Sequence, residues 1–361
     1  MTRHFVAIFT CILLVGCTHR VAPVVKYCLP PTAFLPIESA NVRDASPDFA
    51  AAFCNILKAE FQAKYSKNCY SYLHDTQPRK LPPQTPPLAS DAELSGYRIF
   101  LVSGFASACF HDALLYSEAA KHLAEQHGVK VENLDLVGLG SVDDEASQIL
   151  VQLRSKAAED TKKWIVLGFS KGAVDWETIV ASTATKEPQI HDRIAALVTI
   201  AGMIGGSRLY DQVPNVEEVA KFGSHFPLWQ CKPGVRDVRS LNRRERQDFL
   251  TANWRVLAQT PTYSLTTVSE RSQTSRIMQP LWDSLSVYSV DQDGQMAQPE
   301  QIAPGASFLG TANADHWAVA ISFPNDPIVR AAVDRNEFPR EPLLEALLRF
   351  VVADLNHTTR K

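Results

Sequence analysis

Gly168-Phe169-Ser170-Lys171-Gly172 fits the pattern G-x-S-x-G, which raises a serine hydroxyl on a tight turn between a strand and a helix. The flanking glycines have a steric reason, since side chains at those positions would crowd a strained turn. A serine hydroxyl is inert at neutral pH and needs a base to become a nucleophile. Four histidines follow Ser170 in the chain: His191, His225, His316 and His357. His191 comes before the next strand, His225 falls in an irregular stretch and His357 sits in the polar tail. His316, in Asn313-Ala-Asp-His-Trp317, follows the last strand candidate, where a base can reach back to Ser170. Attack on a carbonyl creates an oxyanion, which two backbone N–H groups can hold. The amide of Lys171 is one expected donor. The amide of Phe105, in Ser103-Gly104-Phe105-Ala106, is the other, with Gly104 giving access to the backbone.

Such a constellation needs a frame. A short apolar run, 164–167, precedes Ser170 and a helical pattern, 171–184, follows it. Upstream, 97–102 and 129–137 read as strands, with helices over 112–127 (stopped by Gly128) and 144–159. Downstream, 194–201, 263–268 and 306–310 resume the strands, 285–290 reads as another β-rich run, and 341–355 as a terminal helix. Strands alternating with helices predict an α/β domain whose mostly parallel sheet has helices on both faces. Residues 205–258 break the rhythm and read as a cap-like insertion over the C-terminal edge of the sheet. They carry a basic run, Arg236 to Arg246, read as a solvated helix face. Residues 46–73 have a helical pattern with Phe49, Phe53, Ile56, Leu57 and Phe61 at spacings of three and four. Residues 76–90 hold five prolines and read as an extended linker.

Together VSGF at 102–105, GFSKG at 168–172, IAG…GGS at 200–207, DGQ at 293–295 and NADHW at 313–317 resemble the α/β-hydrolase superfamily, in particular its bacterial lipase- and esterase-like members. The resemblance covers roughly residues 96–355, within an expected domain of 96–357 with the insertion at 205–258, and leaves 46–95 outside as a helical extension and linker. It implies an α/β-hydrolase fold, a Ser–His–Asp triad and acyl transfer to water. Many members have His-Gly in the oxyanion loop where this chain has Ser103-Gly104, but the donors are backbone amides.

In that superfamily the acid lies between serine and histidine, on a loop at the C-terminal edge of the sheet. Asp315 is unsuited, because adjacent side chains diverge. Asp293 is preferred, since an Asp-Gly turn can present a carboxylate without a side chain behind it, and Asp293-Gly294 is similar to the DG step of bacterial lipases. Asp291 and Glu270 compete with it, and Asp283 is a further candidate.

Residues 1–17, MTRHFVAIFTCILLVGC, place Arg3 before an apolar run too short to span a bilayer, as in a signal peptide. Leu14-Val15-Gly16-Cys17 resembles the lipobox of bacterial lipoproteins. That implies a signal peptide over 1–16, lipidation of Cys17 and a tether over 17–45. Thr18 in place of aspartate implies the outer membrane, so the expected location is the bacterial cell envelope, lipid-anchored and facing the periplasm.

Charged residues are 21% of the chain and hydrophobic residues 45%, which excludes a disordered chain, a coiled coil and a multi-span membrane protein. A net charge of −3 gives no basic field for nucleic acid. Gly138-x-Gly140 lacks the third glycine of a dinucleotide loop, and no H-E-x-x-H or C-x-x-C occurs, so neither a cofactor nor a metal is expected. Past Cys17 the cysteines are Cys28, Cys54, Cys69, Cys109 and Cys231. Cys54 and Cys69 bracket one helical segment, Cys109 and Cys231 could meet above the sheet, and the connectivity is not readable. The expected activity is cleavage of a carboxylic ester or thioester from a small molecule or lipid. A peptidase or acyltransferase on the same three residues is the rival enzyme, and a non-catalytic binding lipoprotein the rival from another class.

Overall fold

The computed structural model describes residues 24–27, 33–36, 41–74, 87–105, 114–136, 140–211, 238–322, 331, 333, 335 and 337–358. Its centre is an eight-stranded sheet of β3 (Arg43–Asp44), β4 (Leu73–His74), β5 (Tyr97–Val102), β7 (Val131–Asn133), β8 (Lys163–Phe169), β9 (Ile194–Ile200), β10 (Thr262–Val268) and β11 (Ser307–Asn313). The order is β3-β11-β10-β9-β8-β5-β7, and β4 pairs with β11. All pairings are parallel except β4 with β11. Two small antiparallel pairs stand apart from it: β1 (Val24–Tyr27) with β2 (Ala33–Pro36), and β6 (Leu114–Leu115) with β12 (Ile321–Ser322).

Strands of a parallel sheet are covered on both faces and read as continuous apolar runs, and β8, KWIVLGF, is buried at every residue after its first. Alternate side chains feed two cores. Ile99, Leu101, Ile165 and Leu167 point to one, filled by α1 (Ser46–Glu60), α2 (Ser117–His127) and the C-terminal helix α7 (Arg340–Thr358). Phe100, Val102, Trp164 and Val166 point to the other, filled by α3 (Val142–Glu159), α4 (Lys171–Lys186) and α5 (Arg243–Leu257). A further helix, α6 (Gln279–Ser286), lies after β10. Local signals set the ends: Gly128 closes α2 at φ 66°, the Ser141 hydroxyl accepts from the Asp144 N–H to cap α3, and Asn242 caps α5 through the Glu245 N–H.

The chain passes from β5 outward to β7, then returns to the other side of β5 as β8. The crevice outside the C-terminal ends of β5 and β8 is therefore a topological switch point, where open α/β sheets bind ligands. Both Phe105 and Ser170 stand there.

Four sequence expectations change. The reading that sets 46–95 apart from the α/β domain does not describe the packing. Helix α1 buries Phe49, Ala52 and Phe53 completely, the Phe49 ring meets Phe350 of α7 edge-on at 5.8 Å, and β3 and β4 cover the outer edge of β11. The proline-rich stretch that suggested a boundary is a crossover between parts of one core, and its residues 75–86 lie outside the described ones. Residues 285–290, expected as a β-rich run, complete α6 and the turn after it. Val287, Tyr288 and Val290 are largely exposed, so their β-propensity finds no neighbouring strand. Within the insertion, α5 is the ordinary crossover helix between β9 and β10, and residues 212–237 lie outside the described ones. Arg246, expected on a solvated face, is buried and ion-paired with the buried Glu177 of α4. Burial pushes the Glu177 carboxyl up to about 7, against the pull of that guanidinium.

Cys54 and Cys69 are joined by a disulfide that ties α1 to the turn preceding β4. Cys109 and Cys231 lie outside the described residues, as does the leader with Cys17. Among the described residues no helix is long and apolar enough to cross a membrane.

Candidate active site

Ser170 connects β8 to α4 with φ 55° and ψ −122°, a conformation an L-residue adopts only where its surroundings impose it. Its N–H donates to the Ile200 carbonyl at 3.0 Å, and its carbonyl accepts from Met203 N–H at 3.1 Å. The two motif glycines allow the turn by yielding space to backbone, not to the serine side chain. A Cβ on Gly168 would lie 2.5 Å from the Ala173 backbone, and one on Gly172 would lie 2.4 Å from the Val102 carbonyl oxygen. Gly104 is the glycine that faces Ser170 itself: a Cβ there would stand 2.7 Å from Ser170 Cβ and 3.1 Å from its Oγ.

Ser170 Oγ lies 2.8 Å from His316 Nε2, and His316 Nδ1 lies 2.7 Å from Asp293 Oδ2. All three side chains are buried. His316 stands in the turn after β11, where its N–H donates to the Asp293 carbonyl at 2.9 Å. The Phe169 ring lies beside the imidazole, with centroids 5.1 Å apart. Asp293 is presented by a turn that Gly294 completes at φ 93°. Its Oδ1 accepts from the N–H groups of Gln295 and Met296 at 2.8 and 2.9 Å. Its Oδ2, besides His316, accepts from Thr267 Oγ1 at 2.6 Å and Gln301 Nε2 at 3.3 Å. The carboxylate thus has a donor on every side and one orientation. With the carboxylate accepting from Nδ1–H, Nε2 keeps its lone pair toward the serine hydroxyl.

The rival acids stand elsewhere. Asp291 and Glu270 are exposed, and Asp283 forms an exposed ion pair with Arg271. Asp315 is buried, and burial raises its carboxyl above the usual range. It accepts from the N–H groups of Ser275, Trp317 and Ala318 and so fixes the turn that carries His316.

Lys171, the first residue of α4, directly follows Ser170, and Phe105 directly follows Gly104, the glycine that faces Ser170. The Lys171 side chain turns away into the interior, where its ammonium meets Glu145 at 2.7 Å and Asp175 at 2.8 Å. Burial raises the Asp175 carboxyl, against the pull of that ammonium. Glu145 also accepts from the Gly140 N–H at 2.9 Å, tying the loop before α3 to the start of α4. Phe105 and Tyr210 pack on a small apolar cluster of Val142, Val174, Met203, Leu241 and Met296. Met203 and Met296 belong to the turns that hold Ser170 and Asp293, so this apolar wall adjoins the serine.

Sequence reasoning missed the supports: Thr267 and Gln301 behind Asp293, Glu145 and Asp175 behind Lys171. Thr267 carries little signal, being one of four hydroxyl-bearing Ser and Thr residues in the strand TYSLTTV. Gln301 carries none, since its role depends on a loop returning to β10. Among the described residues, the one convergent group of histidines and carboxylates with metal-ligand chemistry, Glu60, His122, His127 and Glu345, shares no member with this site.

No family model matches the chain, and no curated protein sequence does. Solved structures do. A metagenomic carboxyl esterase is 27% identical with a TM-score of 0.77, over 91% of this chain and 97% of that one. A Bacillus licheniformis lipase in its mature form is 17% identical with a TM-score of 0.51, over 74% of this chain and 94% of that one. The mostly parallel sheet with its flanking helices is the α/β-hydrolase fold of these proteins, and the likeness to the esterase supports a serine hydrolase of the esterase/lipase type. The esterase match covers 91% of this chain, more than the stretch that carries the sequence resemblance.

Proposed function

We propose that the chain hydrolyses carboxylic esters, or thioesters, with Ser170 as nucleophile, His316 as general base and acid, and Asp293 as the orienting carboxylate. The hydrogen-bonded chain Ser170–His316–Asp293, at 2.8 and 2.7 Å, carries this reading. As Ser170 Oγ forms a bond to the acyl carbon, its proton passes to His316 Nε2, and Asp293 stabilises the imidazolium. The carbonyl electrons move to oxygen, and the amides of Phe105 and Lys171 hold that oxyanion. Collapse of the tetrahedral intermediate breaks the bond to the alcohol or thiol, which leaves with the proton from His316. Water then enters, gives a proton to His316 and attacks the acyl-enzyme, and the same steps release the acid and restore Ser170. No cofactor enters these steps. Phe105 and Tyr210, the two partly exposed rings packed on the buried cluster of Met203, Leu241 and Met296, support an apolar acyl group as the substrate part bound near Ser170.

We also propose that Cys17 is lipidated and holds the enzyme to the bacterial envelope, at the outer membrane facing the periplasm, with a small-molecule or lipid ester as substrate. The support is the lipobox-like Leu14-Val15-Gly16-Cys17 after an apolar run. Replacing Cys17 by Ser is expected to release the protein from membranes, because acyl chains supply the attachment. Detergent-dependent extraction of Cys17→Ser at the wild-type level would contradict the anchor. For the activity, the purified enzyme should be profiled on p-nitrophenyl esters of graded chain length beside a peptide substrate. Turnover of the esters with an optimum in chain length supports the esterase reading. Turnover of the peptide alone would assign the same three residues to a peptidase.

A further inference from the structure

Helices α1, α2 and α7 meet on the side of the sheet that buries the N-terminal segment, and four side chains converge between them. Glu60 is the last residue of α1, His122 and His127 lie on α2, and Glu345 lies on α7. His122 Nε2 is 3.5 Å from Glu60 Oε2 and 3.8 Å from Glu345 Oε2. His127 Nε2 is 3.4 Å from Glu60 Oε2 and 3.5 Å from Glu345 Oε1. One ligand atom from each of the four residues falls within 4.8 Å of every other.

These separations are too long for ion-paired hydrogen bonds, which close to about 2.7–2.9 Å. The two separations to Glu60 Oε2, 3.4 and 3.5 Å, and that from His122 to Glu345 Oε2, 3.8 Å, are near those of ligands around a common centre: a tetrahedral ion with bonds of about 2.0–2.1 Å sets its ligands about 3.3–3.4 Å apart. The hydrogen bonding agrees. Both Nε2 atoms and Glu345 Oε2 are shielded from solvent, and among the described residues none of the three makes a hydrogen bond. Glu345 is 1% exposed; the Arg349 guanidinium pairs with its Oε1, but Oε2 meets no donor among the described residues, and leaving it so is costly.

We propose that Glu60, His122, His127 and Glu345 form a four-ligand site for a divalent transition-metal ion, zinc foremost, which clamps α1 onto α2 and α7. Imidazole nitrogen with carboxylate oxygen in four-coordinate geometry suits zinc, and four protein ligands make the site closed and structural rather than catalytic. Two carboxylates balance the charge of the ion.

Neighbouring groups orient the ligands. Arg349 Nε donates to Glu345 Oε1 at 2.6 Å, leaving Oε2 for the metal. His127 Nδ1 lies 3.4 Å from the Asp91 carboxylate and 3.0 Å from Arg349 Nη2. At 3.0 Å the Arg349 guanidinium donates to Nδ1; metal on Nε2 requires the Nδ1–H tautomer instead, which turns to the Asp91 carboxylate while Arg349 Nη2 keeps Asp91 Oδ1 as its acceptor at 2.6 Å. The Phe61 ring lies against His122 with centroids 4.7 Å apart and holds it in place. Glu60, about one-third exposed at 35%, opens the path by which an ion enters.

The test uses the full purified chain, stripped with a chelator and titrated with zinc against a chromophoric competitor. One zinc per chain is expected, with Kd of about a micromolar or tighter. Free zinc at a hundredfold excess over Kd should raise Tm by about 4 °C. The double variant His122→Ala/His127→Ala should lose at least about a hundredfold in affinity together with the Tm response. Glu60→Gln, at a one-third exposed position that tolerates the change, should weaken binding at least about tenfold with no loss of fold. Ester turnover should be unchanged in both. Cobalt bound in place of zinc should give the absorption bands of a tetrahedral site. Failure of the stripped wild-type chain to take up zinc, or uptake by Glu60→Gln with wild-type affinity and Tm response, would overturn the proposal.

Discussion

His316, buried at the C-terminal edge of the sheet, and the partly buried pair His122/His127 on its helical flank all stand beside carboxylates, yet their geometry differs. His316 has a partner at hydrogen-bond distance on each ring nitrogen, 2.7 Å to Asp293 and 2.8 Å to Ser170. His122 and His127 each aim Nε2 between two carboxylates at 3.4 to 3.8 Å. In a close-packed interior those two spacings mean different chemistry. A relay that moves a proton must have its members in contact, whereas ligands that share a cation must stand apart by the edge of its coordination shell. The surroundings follow suit. Around His316 the backbone is strained, at Ser170, and each side of the Asp293 carboxylate is met by a donor. Around His122 and His127 the helices are regular, and the buried aromatic rings of α1 carry the packing.

If the edge holds a proton relay, removal of its members should cost rate without costing fold. Ser170→Ala should lower kcat by about four to six orders of magnitude with Tm unchanged, measured on one good p-nitrophenyl ester. Asp293→Asn should lower kcat by about 10³–10⁴, because the amide selects the wrong tautomer of His316. Asp291→Asn and Glu270→Gln should stay within about twofold, as exposed side chains remote from the imidazole. A collapse in either of the latter two would move the orienting role to that residue.

Two further changes sharpen the contrast. Thr267→Val removes a short donor to the buried carboxylate while keeping the side-chain shape. It should cost about 10- to 100-fold in kcat, the equivalent of one hydrogen bond to a charged group, and little in KM. On the flank, Phe53→Ala should destabilise the fold by about 3–5 kcal/mol by urea titration, yet leave kcat at 25 °C within about twofold. A large fall in kcat for Phe53→Ala, with the fold intact, would mean the two regions are not separate.

The candidate site was legible where covalent spacing and turn chemistry dictate position. G-x-S-x-G between an apolar run and a helix marks Ser170, an Asp-Gly step marks Asp293, and a histidine after the last strand marks His316. The structure brings these three into one hydrogen-bonded chain. The α/β architecture was legible for a related reason, since buried parallel strands write themselves as apolar runs such as WIVL at 164–167. What stayed hidden depends on contacts between distant segments. Thr267 and Gln301 meet Asp293 only after the loop beyond α6 returns to β10, and Arg246 reaches Glu177 only once α5 lies on α4. Residues 285–290 misled because Val and Tyr favour strands where a partner exists, and among the described residues no strand pairs with them. Glu60, His122, His127 and Glu345 span almost the whole chain, so no local spacing announces them. The place of α1 in the core was hidden by the prolines of 76–90, which mimic a domain boundary.

The central claim is that Ser170 is an activated nucleophile, and covalent trapping tests it most directly. The purified chain should be treated with a fluorophosphonate, digested and mapped by mass spectrometry, with ester turnover followed in parallel. The account predicts one adduct per chain, on Ser170, appearing at the rate at which activity disappears, and no adduct in Ser170→Ala. Absence of labelling at Ser170 while the wild-type chain still turns over ester, or labelling of Ser170→Ala at the wild-type rate, would contradict it.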